Sequence, residues 1–174
     1  LQDLNQAPTI KRLKTLDPKK NFLFCTTKNP FQYLVDCVNN GYVLHGSSRY
    51  ITGEFIPQLT TDASKEFGNR KAIYLTSDPI VAMFRAYVGG IEIRGREDSK
   101  STEITDEGEF IYSNTYFAVG EPEKVREKGY VYIFLKDIVD ESYNLEHVSY
   151  KKASPILALE VSREDFPYEI EKLS

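Results

Sequence analysis

Three short segments hold the residue types that glycosyl chemistry requires. In Val43-Leu44-His45-Gly46-Ser47-Ser48 an imidazole ends an apolar run and is followed at once by glycine and two hydroxyls. Glycine at that point lets a ligand approach the backbone with no β-carbon in the way, and Ser47 and Ser48 add hydrogen-bonding groups. In Ala72-Ile73-Tyr74-Leu75-Thr76 the Tyr74 ring offers a flat face for an aromatic ligand, and the helix start at Ser77-Asp78-Pro79 suits an anion. In Leu145-Glu146-His147-Val148-Ser149 the Glu146 carboxylate can bind a sugar hydroxyl and stabilise positive charge developing beside it. Each segment also fits an ordinary role: a half-buried strand histidine before a turn, a core tyrosine, a strand glutamate facing water.

The elements that must position these groups are legible from periodicity and punctuation. Asn29-Pro30 opens a helix with Phe31, Leu34, Val35 and Val38 at helical spacing, and Gly41 closes it. A short strand follows from Tyr42 and breaks at Gly46; a loop through Pro57 leads to a second strand over residues 72–76. Asp78-Pro79 then starts a helix whose buried face is Ile80, Val81, Met83 and Phe84, ended by Gly89-Gly90. Residues 91–109 become a charged run without periodicity, which predicts a surface excursion. Residues 110–119, 129–135, 145–149 and 153–161 read as strands. Helices early and strands late predict an α+β domain with helices concentrated in the N-terminal half, not an alternating parallel sheet. On strand alternation, His147 should face away from Glu146.

Composition sets limits on partners. The 174 residues fit one domain, expected over residues 22–174 behind a polar, basic arm or leading helix over residues 1–21 that carries Lys11, Arg12, Lys14, Lys19 and Lys20. A net charge of −4 argues against whole-surface attraction to nucleic acid. The apolar runs are far too short to span a bilayer, so no membrane partner and a cytoplasmic setting are expected. Two cysteines and two histidines predict reduced thiols and no metal site.

A strand ending in His45-Gly46-Ser47, an Ile73-Tyr74-Leu75-Thr76 strand running into a helix, and Glu146 ahead of the last strong strand together resemble the His-Tyr-Glu pattern of the ADP-ribosyltransferase superfamily, the branch of diphtheria toxin and the poly(ADP-ribose) polymerases. The resemblance runs over residues 41–161. It implies a split, mostly antiparallel sheet pair gripping NAD, which is consumed as a substrate; no Gly-x-Gly-x-x-Gly redox fingerprint is present. It further implies that His45 binds the adenine-side ribose, that the Gly46 backbone holds the nicotinamide amide, that Tyr74 stacks on the nicotinamide ring, and that Ser47 or Ser48 lies close to the ribose. Glu146 would bind the nicotinamide-ribose 2′-hydroxyl and stabilise the cation formed as nicotinamide leaves, with Glu141 and Glu160 as substitutes for that role. The second aromatic of the polymerase branch has no match, because Phe84 and Tyr87 straddle its position. The expected activity is mono-ADP-ribosyl transfer to a protein, nucleic acid or small-molecule acceptor. Two alternatives stand beside it: an RNA 2′-phosphotransferase-like enzyme using Arg49, Arg70 and Arg85, and a non-catalytic module binding NAD, ADP-ribose or a protein.

Overall fold

The computed structural model describes residues 5–59 and 70–174. Residues 1–4 of the leading segment and residues 60–69 of the loop expected between the His45 and Tyr74 strands lie outside the described residues. Twelve strands are described: β1 (Asn5–Gln6), β2 (Leu23–Thr26), β3 (Tyr42–Ser47), β4 (Gln58–Leu59), β5 (Lys71–Thr76), β6 (Arg96–Ile104), β7 (Phe110–Val119), β8 (Lys128–Leu135), β9 (Glu141–Tyr143), β10 (Glu146–Ser149), β11 (Leu157–Ser162) and β12 (Glu171–Lys172). Three helices join them: α1 (Ile10–Leu13), α2 (Pro30–Asn39) and α3 (Pro79–Val88). The architecture is α+β. Helical segments are not confined to the first half as expected, because 3-10 turns at Pro122–Lys124, Lys136–Ile138 and Arg163–Asp165 punctuate the strand-rich half. No described helix is long and apolar enough to cross a membrane.

The large sheet runs β1-β2-β11-β8-β3-β5-β10-β9, with β4 added to β5; the small sheet runs β12-β7-β6. Most neighbours are antiparallel, while β1 with β2, β2 with β11, and β7 with β12 run parallel. Side-chain alternation gives the large sheet two buried faces. Val43, Ile73, Leu75, Tyr132 and Phe134 pack with Phe55 on one face. Leu44, Val131, Ile133, Leu157 and Leu159 pack on the other, against α2 and α3. Leu13 of the basic leading segment is fully buried in that second cluster, and β1 pairs with β2, so apolar contacts and a ladder tie the segment to the sheet.

The α3 helix is apolar all round because it lies between two layers. Ala82 and Ala86 face Gly46 of β3 and Gly129 of β8, while Phe84 meets Phe117 of the small sheet at 5.0 Å between ring centroids. Every α3 residue except Arg85 is buried. Asn29 and Asp78 cap α2 and α3 with Pro at the first turn, as the sequence predicts.

The charged run 91–109 is not an irregular excursion. Its middle, residues 96–104, is β6, paired antiparallel along its length with β7. Its alternation is invisible because polar residues occupy both faces, and the ladder to an aromatic-rich partner supplies what propensity does not. An irregularity between Ser99 and Ser101 leaves Lys100 out of the pairing and turns its ammonium toward Asp78, 3.6 Å away.

Candidate functional site

The β3, β5 and β10 strands are adjacent in the sheet and carry His45, Tyr74 and Glu146 respectively. All three residues line one groove of about 1840 Å³, bounded by α3, β6 and the β9–β10 turn, Tyr74 and Glu146 from the α3 face of the sheet and His45 from the Phe55 face. The groove exists because the sheet parts there. The β3 and β5 strands pair only at Leu44 and Thr76. Lys136 N–H donates to the Gly41 carbonyl, which fixes the alternation of the β3–β8 ladder. His45 therefore bonds toward β8, whereas Gly46 turns its N–H and C=O toward β5. A continued ladder would give the Tyr74 carbonyl to Gly46 N–H. The His45 imidazole takes that carbonyl instead, Nδ1 to O 2.7 Å, and acts as a wedge in the split.

A carbonyl only accepts, so Nδ1 carries the proton and neutral His45 keeps Nε2 as an acceptor. Burial holds the His45 pKa below its ordinary value; the Tyr74 carbonyl opposes this and the Arg85 charge adds to it. Phe55 packs edge-on to the imidazole at 5.2 Å. Tyr74 is equally fixed, since its hydroxyl accepts from Arg70 N–H at 2.7 Å and donates to the Arg70 carbonyl at 2.6 Å.

Glu146 reaches its place through a two-residue turn in which Asn144 adopts φ +55°, a conformation asparagine tolerates better than most residues. Pairing with Thr76 sets its side chain on the α3 side of the sheet, where Arg85 Nη2 donates to Oε1 at 2.6 Å. Burial alone would push the carboxyl pKa up. The Arg85 guanidinium, the Thr76 hydroxyl and the more distant Lys100 outweigh it, and the group lies below the usual carboxylate range. His147 faces the other way, as alternation predicts: it is buried, with Ser77 Oγ 2.5 Å from Nε2 and Ser142 Oγ 2.6 Å from Nδ1.

Gly46 and Ser47 also line the groove. The absent β-carbon of Gly46 serves packing and not ligand approach, for a methyl group there would collide with the Ala82 carbonyl oxygen of α3. Ser48 is not on the groove wall; its hydroxyl and its N–H both reach the Gly89 carbonyl, at 2.6 and 2.9 Å. Glu141 is ion-paired with Arg70 and accepts from Tyr150, Glu160 is paired with Lys128 at 3.5 Å, and neither substitute lines the groove. Arg49, Arg70 and Arg85 all line it.

Two participants were not assigned their partners from sequence. Arg85 stands out in Ile80-Val81-Ala82-Met83-Phe84-Arg85-Ala86-Tyr87-Val88 as a lone charge on an apolar helix, which is the signal that would have found it. Asp78, fully buried, accepts from Ile80 N–H, from Tyr112 at 2.6 Å and from Thr102 at 3.1 Å, besides pairing with Lys100. It anchors the β6–β7 hairpin that walls the groove, a role that a helix cap does not announce. Among the described residues no group of three or more His, Cys, Asp and Glu side chains is placed to hold a metal. No family model matches the chain, and neither does any curated protein or solved structure.

The two imidazoles set a pH dependence of stability. Both have pKa values lowered by burial from 6.5. Below that value the unfolded chain binds protons that the folded chain refuses, so stability should fall as pH drops from 6.5 toward the folded-state values. Urea midpoints should be lower at mildly acid than at neutral pH, and His147→Asn should flatten that slope; equal midpoints in the unsubstituted protein would contradict the burial argument.

Proposed function

We propose that the groove binds NAD and that the chain is an ADP-ribosyltransferase-like enzyme, with a split-sheet architecture of that superfamily's kind. The observation that supports this most is the meeting of His45, Tyr74 and Glu146, from three neighbouring strands, on one groove at the point where the sheet parts. In this reading Nε2 of His45 accepts from a ribose hydroxyl. The Gly46 N–H and C=O, turned out of the ladder, hold a carboxamide, and the Tyr74 ring stacks on the pyridinium. The Glu146 carboxylate binds the 2′-hydroxyl and stabilises the oxocarbenium-like charge as the nicotinamide-ribose bond breaks. The electron pair of that bond leaves with nicotinamide, and an acceptor nucleophile then attacks the ribose carbon.

Incubation of the protein with NAD should yield free nicotinamide. Tyr74→Ala should weaken NAD binding, by titration calorimetry, on the order of tenfold, the scale of a lost stacking contact. Tyr74→Phe, which keeps the ring and loses only the bonds to Arg70, should bind nearly as the original does. Equal affinities for all three proteins would remove the ring from the site. A second reading, an RNA 2′-phosphotransferase-like enzyme, draws on Arg49, Arg70 and Arg85 sharing the groove. Against it, carboxylates already hold Arg70 and Arg85. A groove that binds NAD without releasing nicotinamide would be the non-catalytic module.

A further inference from the structure

We propose that Arg85 is a positioning residue which fixes the Glu146 carboxylate, as an anion of set orientation, on the groove wall. This rests on the reading that Glu146 is the working carboxylate. The geometry is specific. Arg85 is the one α3 residue not buried, on a helix otherwise enclosed by two sheets. It spans from α3 to β10 and meets Glu146 at 2.6 Å, and both side chains are about a third exposed, at 37% and 34%. Partial burial raises a carboxylate's pKa, and a neighbouring cation opposes that rise.

The other charged groups around Glu146 do not replace Arg85. Lys100 of β6 is drawn to Asp78 and Asp98, at 3.6 and 3.8 Å. Asp78, at the start of α3, is itself an anion partner of Lys100. His45 of β3 is hydrogen-bonded to the Tyr74 carbonyl and is disfavoured as a cation by burial first and by Arg85 in addition. His147 of β10 points to the opposite face, between Ser77 and Ser142. From β5, Thr76 contributes a hydroxyl and no charge. Arg85 thus supplies the positive charge nearest the carboxylate, and the 2.6 Å bond from Nη2 to Oε1 orients the carboxyl in a way a distant charge would not.

The test is carbon-detected NMR titration of the glutamate side-chain carboxyls in the full chain, with Glu146 assigned by its loss in Glu146→Gln. Glu146 should titrate below a glutamate of the denatured chain. Its midpoint should move up in Arg85→Gln and return part of the way in Arg85→Lys. In the same proteins the acid limb of nicotinamide release should move up with it, kcat falling more than KM rises. An unchanged Glu146 midpoint in Arg85→Gln overturns the proposal. So does a tenfold loss of NAD affinity with kcat at saturation intact, which would make Arg85 a substrate-gripping group. Should Arg85→Gln not fold, Arg85→Lys and the unsubstituted protein decide: a Glu146 midpoint no lower than in the denatured chain overturns it. If the unsubstituted protein releases no nicotinamide, the NAD reading fails, while the titration still decides on the ion pair.

Discussion

Glu146→Gln should release nicotinamide from NAD at least about a hundredfold more slowly than the unsubstituted protein, the scale of losing one electrostatic stabiliser of a developing charge. Glutamine keeps the shape and can still meet the Thr76 hydroxyl. It cannot carry the negative charge that an oxocarbenium-like centre requires, and it leaves the Arg85 cation unbalanced beside that centre. Both effects act on the transition state more than on the ground state, so the loss should fall on kcat and not on KM. Glu141→Gln and Glu160→Gln provide the comparison, because those carboxylates are paired with Arg70 and Lys128 and do not line the groove. Thermal unfolding of each variant separates a chemical loss from a folding loss. Release at the original rate from Glu146→Gln would end the assignment of this glutamate.

Gly46→Ala should unfold at markedly lower urea, with a loss on the order of 3 kcal/mol or more, and Gly129→Ala should do the same. Neither glycine is needed for an unusual backbone angle. Each lies where α3 rests directly on a strand: a β-carbon on Gly46 would strike the Ala82 carbonyl and sit 2.8 Å from the Ala86 nitrogen, and one on Gly129 would strike the Ala86 carbonyl. Backbone cannot move aside as a side-chain tip can, so the helix must lift from β3 and β8. Lifting α3 displaces Arg85 and the Asp78 cap together, so any nicotinamide release should fall in parallel with stability. Gly53→Ala is the control, a residue at φ +83° with nothing near its missing β-carbon, where only backbone strain of about 1 kcal/mol is expected. If Gly46→Ala proved as stable as the unsubstituted protein, the close approach of α3 to the sheet would be wrong.

The segments around the site were legible where local chemistry is strong. The Asn29-Pro30 and Asp78-Pro79 helix starts fall where α2 and α3 begin, and apolar runs mark β3, β5, β8 and β11. Opposite orientation of Glu146 and His147 followed from the two-residue period of a strand alone. What failed locally did so for identifiable reasons. β6 has polar residues on both faces and gains its order from a partner strand. Ser48, adjacent to two residues of the groove wall, turns away because the end of α3 presents the Gly89 carbonyl to it. The openness expected at Gly46 reflects a helix pressed against it from the other side.

By itself, then, the sequence determined which side chains are available for glycosyl chemistry and which strands and helices carry them, because caps, periodicity and β-propensity act over a few residues. Only the tertiary structure decided that the strand of Tyr74 lies between those of His45 and Glu146, that the sheet parts between the first two, and that Arg85 reaches across to the carboxylate. Those relations join residues far apart in the chain. They are set by which faces must be buried together, and no local pattern records that.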